Sequence, residues 1–221
     1  MEENLNEFVS ELKRLYSENL VSVILYGSAA HGDHVEEKSD VNIMIVLKDV
    51  SLDLLSSAEK IILKGQKKIK LNPFFWSEDE FRRSLDVFPI EFTDIIQNRR
   101  ILYGADLLSL ISIDTKNLRH QIELELRIKL LRLRSEWLRL RKDKSSMEDF
   151  LIRAGTSLHH LYLHANKIWN DKILASIEEP FVTCKRLKKK EIKMNLSELE
   201  KLYLKMHASV KELTKILDTM E

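Results

Sequence analysis

Cysteine, proline and glycine are all scarce in this chain of 221 residues. Cys184 is the single cysteine, so an intrachain disulfide and a cluster of thiolate metal ligands are both excluded. The sequence has five glycines and three prolines, which favours long regular helices and strands over extended loops. Its length is sufficient for one large domain or two small ones.

An excess of charge and a long apolar run are also missing. The 36 basic and 35 acidic side chains give a formal net charge of +1, so no overall field attracts nucleic acid or a membrane. We expect no membrane partner, and any electrostatic contact with nucleic acid must be local. No apolar run approaches the roughly 18 residues that a membrane span requires. The segment 1–20 is amphipathic and charged, unlike a signal peptide, and we therefore expect a cytoplasmic protein.

The first half of the sequence alternates between strand-like and helix-like segments. Runs rich in β-branched and aromatic residues predict strands over residues 20–26, 41–47, 68–76 and 89–96. Apolar residues at helical spacing predict helices over residues 3–18, 51–65 and 77–85. Gly65 is a candidate end of the second helix, and Ser77 with Glu80 has the pattern of a capping box.

The second half of the sequence is predicted to be helical throughout. Apolar side chains that step by three or four residues predict a long helix over 116–142, and they are Ile122, Leu126, Leu130, Leu133, Trp137 and Leu140. Further helices are predicted over 147–170 and 196–219. The sequence thus predicts an α+β fold, with a mixed sheet and flanking helices in a domain over 1–112 and an all-α helical bundle over 113–221. The bundle's apolar faces are broad enough for a homodimer through this domain.

The stretch LYGSAAHGDHVEEKSDVNIMIV, residues 25–46, carries the polar residues on which a functional interpretation depends. A strand that ends in Gly27-Ser28 and continues into a helix presents unpaired backbone N–H groups, which favour an anion such as phosphate. Eleven residues separate Ser28 from Asp40. Asp40 and Asn42 are two residues apart at the start of the next strand, so both side chains point to one face.

An Asp-x-Asp pair at this position would hold two divalent cations beside a bound triphosphate. Such chemistry needs a third carboxylate from a neighbouring strand. The strand predicted over 89–96 offers Glu91 and Asp94, which alternation places on opposite faces of the sheet. We select Glu91, because Thr93 and Ile95 follow it on the same face.

The motif Gly27-Ser28, spacer, Ser39-Asp40-x-Asn42 resembles the signature of the DNA polymerase beta-like nucleotidyltransferases. This superfamily includes the minimal and the aminoglycoside nucleotidyltransferases. The segments SAAHGD and IEFTDIIQNRRILYG also resemble parts of the family sequence, so the resemblance covers residues 20–104. The C-terminal bundle resembles, in architecture, the accessory domains that follow this core.

The resemblance implies a role for each matched residue. The implied nucleotide-binding residues are Gly27, Ser28, Ser39 and His31, with the first two at the β- and γ-phosphates. The implied catalytic residues are Asp40 and Glu91, and Glu91 would help to deprotonate the acceptor hydroxyl. The implied metal ligands are Asp40, Asn42 and Glu91. The implied cofactor is Mg²⁺ bound with an NTP, whereas the acceptor is not identified by the resemblance.

Two residues depart from the family pattern. Asn42 stands where the second metal-bridging carboxylate belongs, and its amide oxygen can ligate Mg²⁺ without adding negative charge. One lost charge at about 4 Å is worth roughly 4 kcal/mol at an effective dielectric constant of 20. We therefore expect one metal to bind with a nucleotide but a full two-metal site to be impaired. His31 stands where relatives often carry Arg, and a neutral imidazole is a weaker phosphate ligand.

Two functions follow from these residues. The first is a Mg²⁺-dependent nucleotidyltransferase that transfers a nucleoside monophosphate from an NTP to a hydroxyl acceptor. The second is a catalytically inactive module that binds a nucleotide or a partner protein, as an antitoxin-like protein does. Asn42 leaves the choice open, because the Asp-x-Asp metal motif is incomplete.

Two segments of the helical half have functional interpretations of their own. Arg153 to His159, RAGTSLH, resembles the Arg-x(4–6)-His motif of helical ribonuclease toxins called HEPN domains. The alternative interpretation places His159 and His160 on a helix surface beside the bundle core. The basic segment 184–193, CKRLKKKEIK, is either a solvated surface or a contact site for phosphate or nucleic acid.

Overall fold

The computed structural model describes residues 1–30, 40–170 and 172–219. Its contacts divide the chain into two units, Met1–Asp114 and Thr115–Glu221. The described residues of the first unit form a mixed four-stranded sheet with flanking helices, and those of the second form helices. The predicted α+β fold with a C-terminal helical bundle is therefore confirmed.

The sheet brings one end of each of its strands together. The strands are β1 (Leu20–Tyr26), β2 (Val41–Leu47), β3 (Leu71–Ser77) and β4 (Arg99–Gly104), in the spatial order β3-β2-β1-β4. Strand β1 is antiparallel to β2 and β4, and β2 is parallel to β3. The last residue of β1 and the first residues of the other strands therefore lie at one end of the sheet. We call it the Gly27 end, defined by Gly27, Asn42, Asn72 and Arg99.

Both faces of the central strands are buried under helices. The helices of the first unit are α1 (Glu2–Tyr16), α2 (Leu52–Ser57), α3 (Glu59–Ile69), α4 (Glu78–Arg83) and α5 (Pro89–Gln97). Ile43 packs into a core with residues of α1, whereas Ile24 and Met44 pack on the opposite face with Phe92 of α5. Because side chains alternate along a strand, Asn42 lies on the same face as Met44, the α5 side of the sheet.

The strand predicted over 89–96 is wrong, because this segment forms α5. Pro89 occupies the start of the helix, where its missing N–H costs no intrahelical hydrogen bond. Phe92 and Ile95 are three residues apart and both are buried, as expected for one face of a helix. A short apolar run does not distinguish a strand from a buried helix by periodicity alone. The fourth strand is β4, which the sequence analysis missed.

The helix predicted over 51–65 consists of two helices, α2 and α3, and Gly65 ends neither of them. Helix α3 continues past Gly65 and ends at Ile69, and the residue after it, Lys70, adopts the left-handed conformation with φ 51°. Strand β3 consequently begins at Leu71 rather than at residue 68.

The second unit contains α6 (Thr115–Leu140), α7 (Lys144–Ile168), α8 (Ala175–Lys188) and α9 (Leu196–Asp218). The three predicted helices are confirmed, and the predicted stripe of α6 is buried except for Trp137, which is half-buried. Helix α8 was not predicted, because Pro180 and a basic C-terminal end obscure its pattern. In the part of the chain that the structure describes, no helix has the length and apolar character needed to cross a membrane.

Helices α7 and α8 approach each other closely at Gly155. A Cβ atom at this position would lie 2.3 Å from the Cβ and 2.8 Å from the Sγ of Cys184. Both distances are well inside van der Waals contact, so this packing requires glycine. Cys184 is buried, and this burial raises the pKa of its thiol to about 12.

We expect Gly155→Ala to lower the free energy of unfolding by about 1–3 kcal/mol, because the added methyl group overpacks the contact between α7 and α8. The loss should occur even though alanine is the better helix former. Urea denaturation followed by far-ultraviolet circular dichroism measures this change, provided that the m-value stays constant.

Gly65→Ala in α3 is the matched control. There the new Cβ would lie 3.0 Å from Cδ2 and 3.3 Å from Cβ of the buried Leu71, so the crowding is milder than at Gly155. We expect a smaller loss than in Gly155→Ala, of about 1 kcal/mol or less. Equal losses in the two variants would contradict the packing argument at Gly155.

Candidate functional site

The turn after β1 places Gly27 next to the first residues of β2. Gly27 has φ +75°, and a Cβ atom on it would lie 3.4 Å from Nδ2 of Asn42. Its N–H donates to the carbonyl oxygen of Asn98 at 3.1 Å. One amide of the predicted phosphate cradle is therefore already used. Any cradle here must rely on Ser28 and the amides that follow it in the short 3₁₀ turn Gly27–Ala30.

Asn42 is tied to the neighbouring strand by an amide–amide hydrogen bond. Its Oδ1 accepts from Nδ2 of Asn72 at 2.9 Å, and the two residues are register partners in β2 and β3. The same oxygen keeps a second lone pair for another donor or a cation. Asp40 immediately precedes β2 and is exposed. Within the motif pair Asp40–Asn42, the negative charge is therefore carried by Asp40 alone.

A cavity of about 440 Å³ opens on the α5 side of the sheet. Its walls include Tyr26, Met44, Trp76 and Phe92, so it is mainly apolar and aromatic. Burial raises the pKa of Tyr26 to about 12, which keeps its phenol neutral at physiological pH. The volume is within the range of small-molecule binding sites.

Glu91 and Asp94 both line this cavity. The alternation argument that separated them is wrong, because they belong to a helix, in which residues three apart share a face. Glu91 is exposed and Asp94 is half-buried. The helix thus supplies two candidate carboxylates where the sequence analysis selected one.

Arg99 is a residue of the Gly27 end that the sequence analysis did not single out. It faces Tyr26 across the β1–β4 pair, and its Nη2 lies 2.8 Å from Oδ2 of Asp106. This hydrogen-bonded arginine holds the pKa of Asp106 below its usual value. A second N–H of Arg99 donates to the carbonyl oxygen of Ile96, so the side chain fixes the end of α5 against the segment after β4. In the sequence, the only feature that could have drawn attention to Arg99 is the pair of arginines in RRILYG.

The structure brings together Gly27, Ser28, Asp40 and Asn42 at one end of the sheet, with Glu91 on the wall of the adjacent cavity. Ser39 and His31 lie outside the described residues. The donors that are described fit a magnesium ion, since a carboxylate and an amide oxygen are both hard ligands. They supply less negative charge than an Asp-x-Asp pair would.

Arg153 and His159 of the segment RAGTSLH have different surroundings. His159 is buried, and its Nε2 lies 2.7 Å from Oε1 of Glu178 on α8. The surface position predicted for His159 is therefore wrong, whereas His160 is exposed. Arg153 instead lines a cavity between α7 and α6. The two side chains of the motif contact different helices.

Known proteins resemble the first half of this chain. The nucleotidyltransferase domain family matches residues 5–103. A candidate protein adenylyltransferase of Methanocaldococcus jannaschii is 33% identical over 103 residues, which cover 46% of this chain and 97% of that protein.

Among solved structures, the similarity is weaker. The crystal structure of spectinomycin adenyltransferase AAD(9) from Enterococcus faecialis with ATP and spectinomycin aligns with a TM-score of 0.52 and 14% identity, over 99% of this chain and 100% of that chain. At this identity the likeness concerns the fold alone. A chain of a toxin–antitoxin structure with AMP-PNP aligns with a TM-score of 0.36 and 15% identity, over 56% of this chain and 93% of that chain, which carries no argument.

We expect Gly27→Ala to destabilise the protein by about 1–2 kcal/mol, because an L-residue at this φ brings its Cβ close to the backbone. The methyl group would also occupy the space beside Asn42, so binding of Mg²⁺–ATP should weaken. Urea denaturation and calorimetric titration with Mg²⁺–ATP measure the two effects. Ser28→Ala is the control for stability alone, because it removes a hydroxyl of the cradle without straining the backbone and should leave the free energy of unfolding unchanged. Unaltered ATP affinity in Gly27→Ala would contradict the assigned cradle.

Proposed function

The chain belongs to the nucleotidyltransferase superfamily, and we propose that it transfers AMP from ATP to a hydroxyl group of a protein. The similarity to a candidate protein adenylyltransferase supports this acceptor class. The observation that carries the proposal is the grouping of Gly27, Ser28, Asp40 and Asn42 at one end of the sheet, beside a cavity with Glu91 on its wall.

The proposed reaction is a single displacement at the α-phosphorus of ATP. The acceptor oxygen forms a bond to this phosphorus, the bond to the β-phosphate breaks, and pyrophosphate leaves. Ser28 and the following amides bind the phosphates at the Gly27 end. The acceptor side chain enters the apolar cavity, where Glu91 accepts the hydroxyl proton. The aromatic wall beside this carboxylate gives the acceptor segment an apolar surface on which to pack.

Asp40 and Asn42 are the proposed ligands of a magnesium ion. Asp40 contributes a full charge, and Asn42 contributes the lone pair that its bond to Asn72 leaves unused. When bound, Mg²⁺ would neutralise part of the triphosphate charge and stabilise the leaving pyrophosphate. A second divalent ion would bind more weakly, because no carboxylate stands at position 42.

A second candidate function is nucleotide binding without transfer. The specific observation in its favour is the Asn42–Asn72 hydrogen bond, which gives the amide a structural role that needs no metal. In that case the first unit would serve as a nucleotide-responsive or partner-binding module. The two candidates differ in turnover rather than in ATP binding.

We expect the wild-type protein to transfer label from ATP labelled at the α-phosphate to proteins of a cell extract, and to transfer none from ATP labelled at the γ-phosphate. Asp40→Asn should abolish this transfer, because it removes the remaining charge of the pair. Asn42→Asp should strengthen Mg²⁺-dependent ATP binding by at least about tenfold, as one restored charge near a cation is worth a few kcal/mol. Autoradiography and calorimetric titration are the measurements.

The outcomes separate the two candidate functions. Mg²⁺-dependent ATP binding without α-label transfer, in wild type and in Asn42→Asp, would reject transfer and favour the binding module. Label recovered on a small molecule instead of a protein would reject the proposed acceptor class. Absence of ATP binding in the wild type, with binding restored by Asn42→Asp, would indicate an intact phosphate site without a working metal site.

We expect Glu91→Gln to reduce kcat by about 10²–10⁴-fold with little change in the KM for ATP, because the loss of a general base affects the chemical step. The substitution keeps the size of the side chain. Steady-state rates of α-label transfer measure both constants once an acceptor is identified.

Asp94→Asn is the matched comparison for Glu91→Gln, because Asp94 lies about one helical turn from Glu91 on the wall of the same cavity. A large loss in Asp94→Asn together with near-normal rates in Glu91→Gln would assign the base to Asp94 and refute the role of Glu91. Losses of similar size in both variants would indicate that the two carboxylates act as a unit.

A further inference from the structure

The helical bundle contains a cavity of about 200 Å³ between α6 and α7, separate from the nucleotidyltransferase core. Lys129, Arg132 and Leu133 line it from α6, at positions that share one helix face. Phe150, Arg153 and Ser157 line it from α7, again on one face. The volume corresponds to about six or seven water molecules. It is therefore large enough to hold a small molecule.

The charges of this cavity are almost entirely positive. Lys129 has a partial counterion, since its Nζ lies 3.4 Å from Oε2 of Glu125. Arg132 stands over the ring of Phe150, with its Cζ 5.9 Å from the ring centroid. Among the described residues, no acidic side chain forms an ion pair with Arg132 or Arg153. Two exposed arginines thus line one concave site, and neither has an ion-pair partner among the described residues.

The floor of the cavity is apolar. Leu133, Leu158 and Phe150 form it, and Ser157 adds a hydroxyl beside the cations. Guanidinium groups bind phosphate oxygens through paired N–H donors, and an apolar surround strengthens such bonds. A ligand that combines a phosphate with a small apolar group would match both parts of the lining.

We propose that the cavity between α6 and α7 is a binding site for a small phosphate monoester, held at its phosphate by Arg132 and Arg153. Ser157 donates a further hydrogen bond, and the organic group of the ester packs on Phe150 and Leu158. The site lies wholly in the second unit, so it is independent of the proposed transfer reaction. It gives the bundle a ligand of its own rather than a purely structural role.

Calorimetric titration of the full chain with phenyl phosphate tests this site. We expect saturable binding with one ligand per chain, and at least tenfold weaker binding in Arg153→Gln and in Arg132→Gln. Arg153 is exposed, so Arg153→Gln should leave folding intact. This variant therefore tests the site even if Arg132→Gln lowers stability through loss of the Arg132–Phe150 contact. Arg153→Lys should retain part of the affinity. Inorganic phosphate should bind more weakly than phenyl phosphate, and benzyl alcohol should not bind.

Two control variants make the test specific. Arg134→Gln changes an exposed arginine of α6 that does not line the cavity, and we expect less than a twofold effect. Ser28→Ala identifies any phosphate bound in the first unit. Equal weakening by Arg134→Gln and Arg153→Gln would mean general charge attraction and overturn the proposal. Loss of binding only in Ser28→Ala, or no saturable binding at all, would overturn it as well.

Discussion

The burial of β1 and β2 on both faces determines where this fold can carry polar chemistry. A strand that is covered by helices on both sides cannot hold a charged side chain in its middle without losing hydration. Polar groups are therefore restricted to the strand ends. The strand directions then collect one end of each described strand at the Gly27 end. The cavity beside α5 opens on the same side as Asn42, so binding groups and candidate carboxylates become neighbours although they are distant in sequence.

The amide at position 42 has a physical explanation in its neighbours. Asn72 donates to it from β3, and Gly27, in the turn after β1, leaves the space beside its amide nitrogen that a Cβ atom would fill. A carboxylate would accept the same bond from Asn72 but would add a charge that the amide lacks. An amide does not titrate, so the charge of the Asp40–Asn42 pair depends on Asp40 alone. Position 42, which is half-buried, therefore adds no negative charge to the site, and the two candidate functions differ in whether that missing charge prevents transfer.

Sequence patterns predicted the elements whose signals are local. Strands β1 and β2 begin and end as predicted, and Ser77 with Glu80 forms the expected capping box. The patterns failed where tertiary packing decides between alternatives, as in 89–96, where a short apolar run became a helix started by Pro89. This error also affected the predicted site. The strand assignment placed Glu91 and Asp94 on opposite faces, whereas in the helix both line the same cavity. The Asn42–Asn72 bond depends on strand pairing over thirty residues and left no signal in the sequence.

The contact between Gly155 and Cys184 has a practical consequence for future work on the protein. The thiol is enclosed where two helices nearly touch, and its raised pKa keeps it protonated at neutral pH. Reagents that alkylate cysteine act on the exposed thiolate, so the native chain provides a chemically silent background for them. A single cysteine introduced on the surface can therefore carry a fluorophore or a spin label without first removing Cys184, whose replacement would disturb the helix packing.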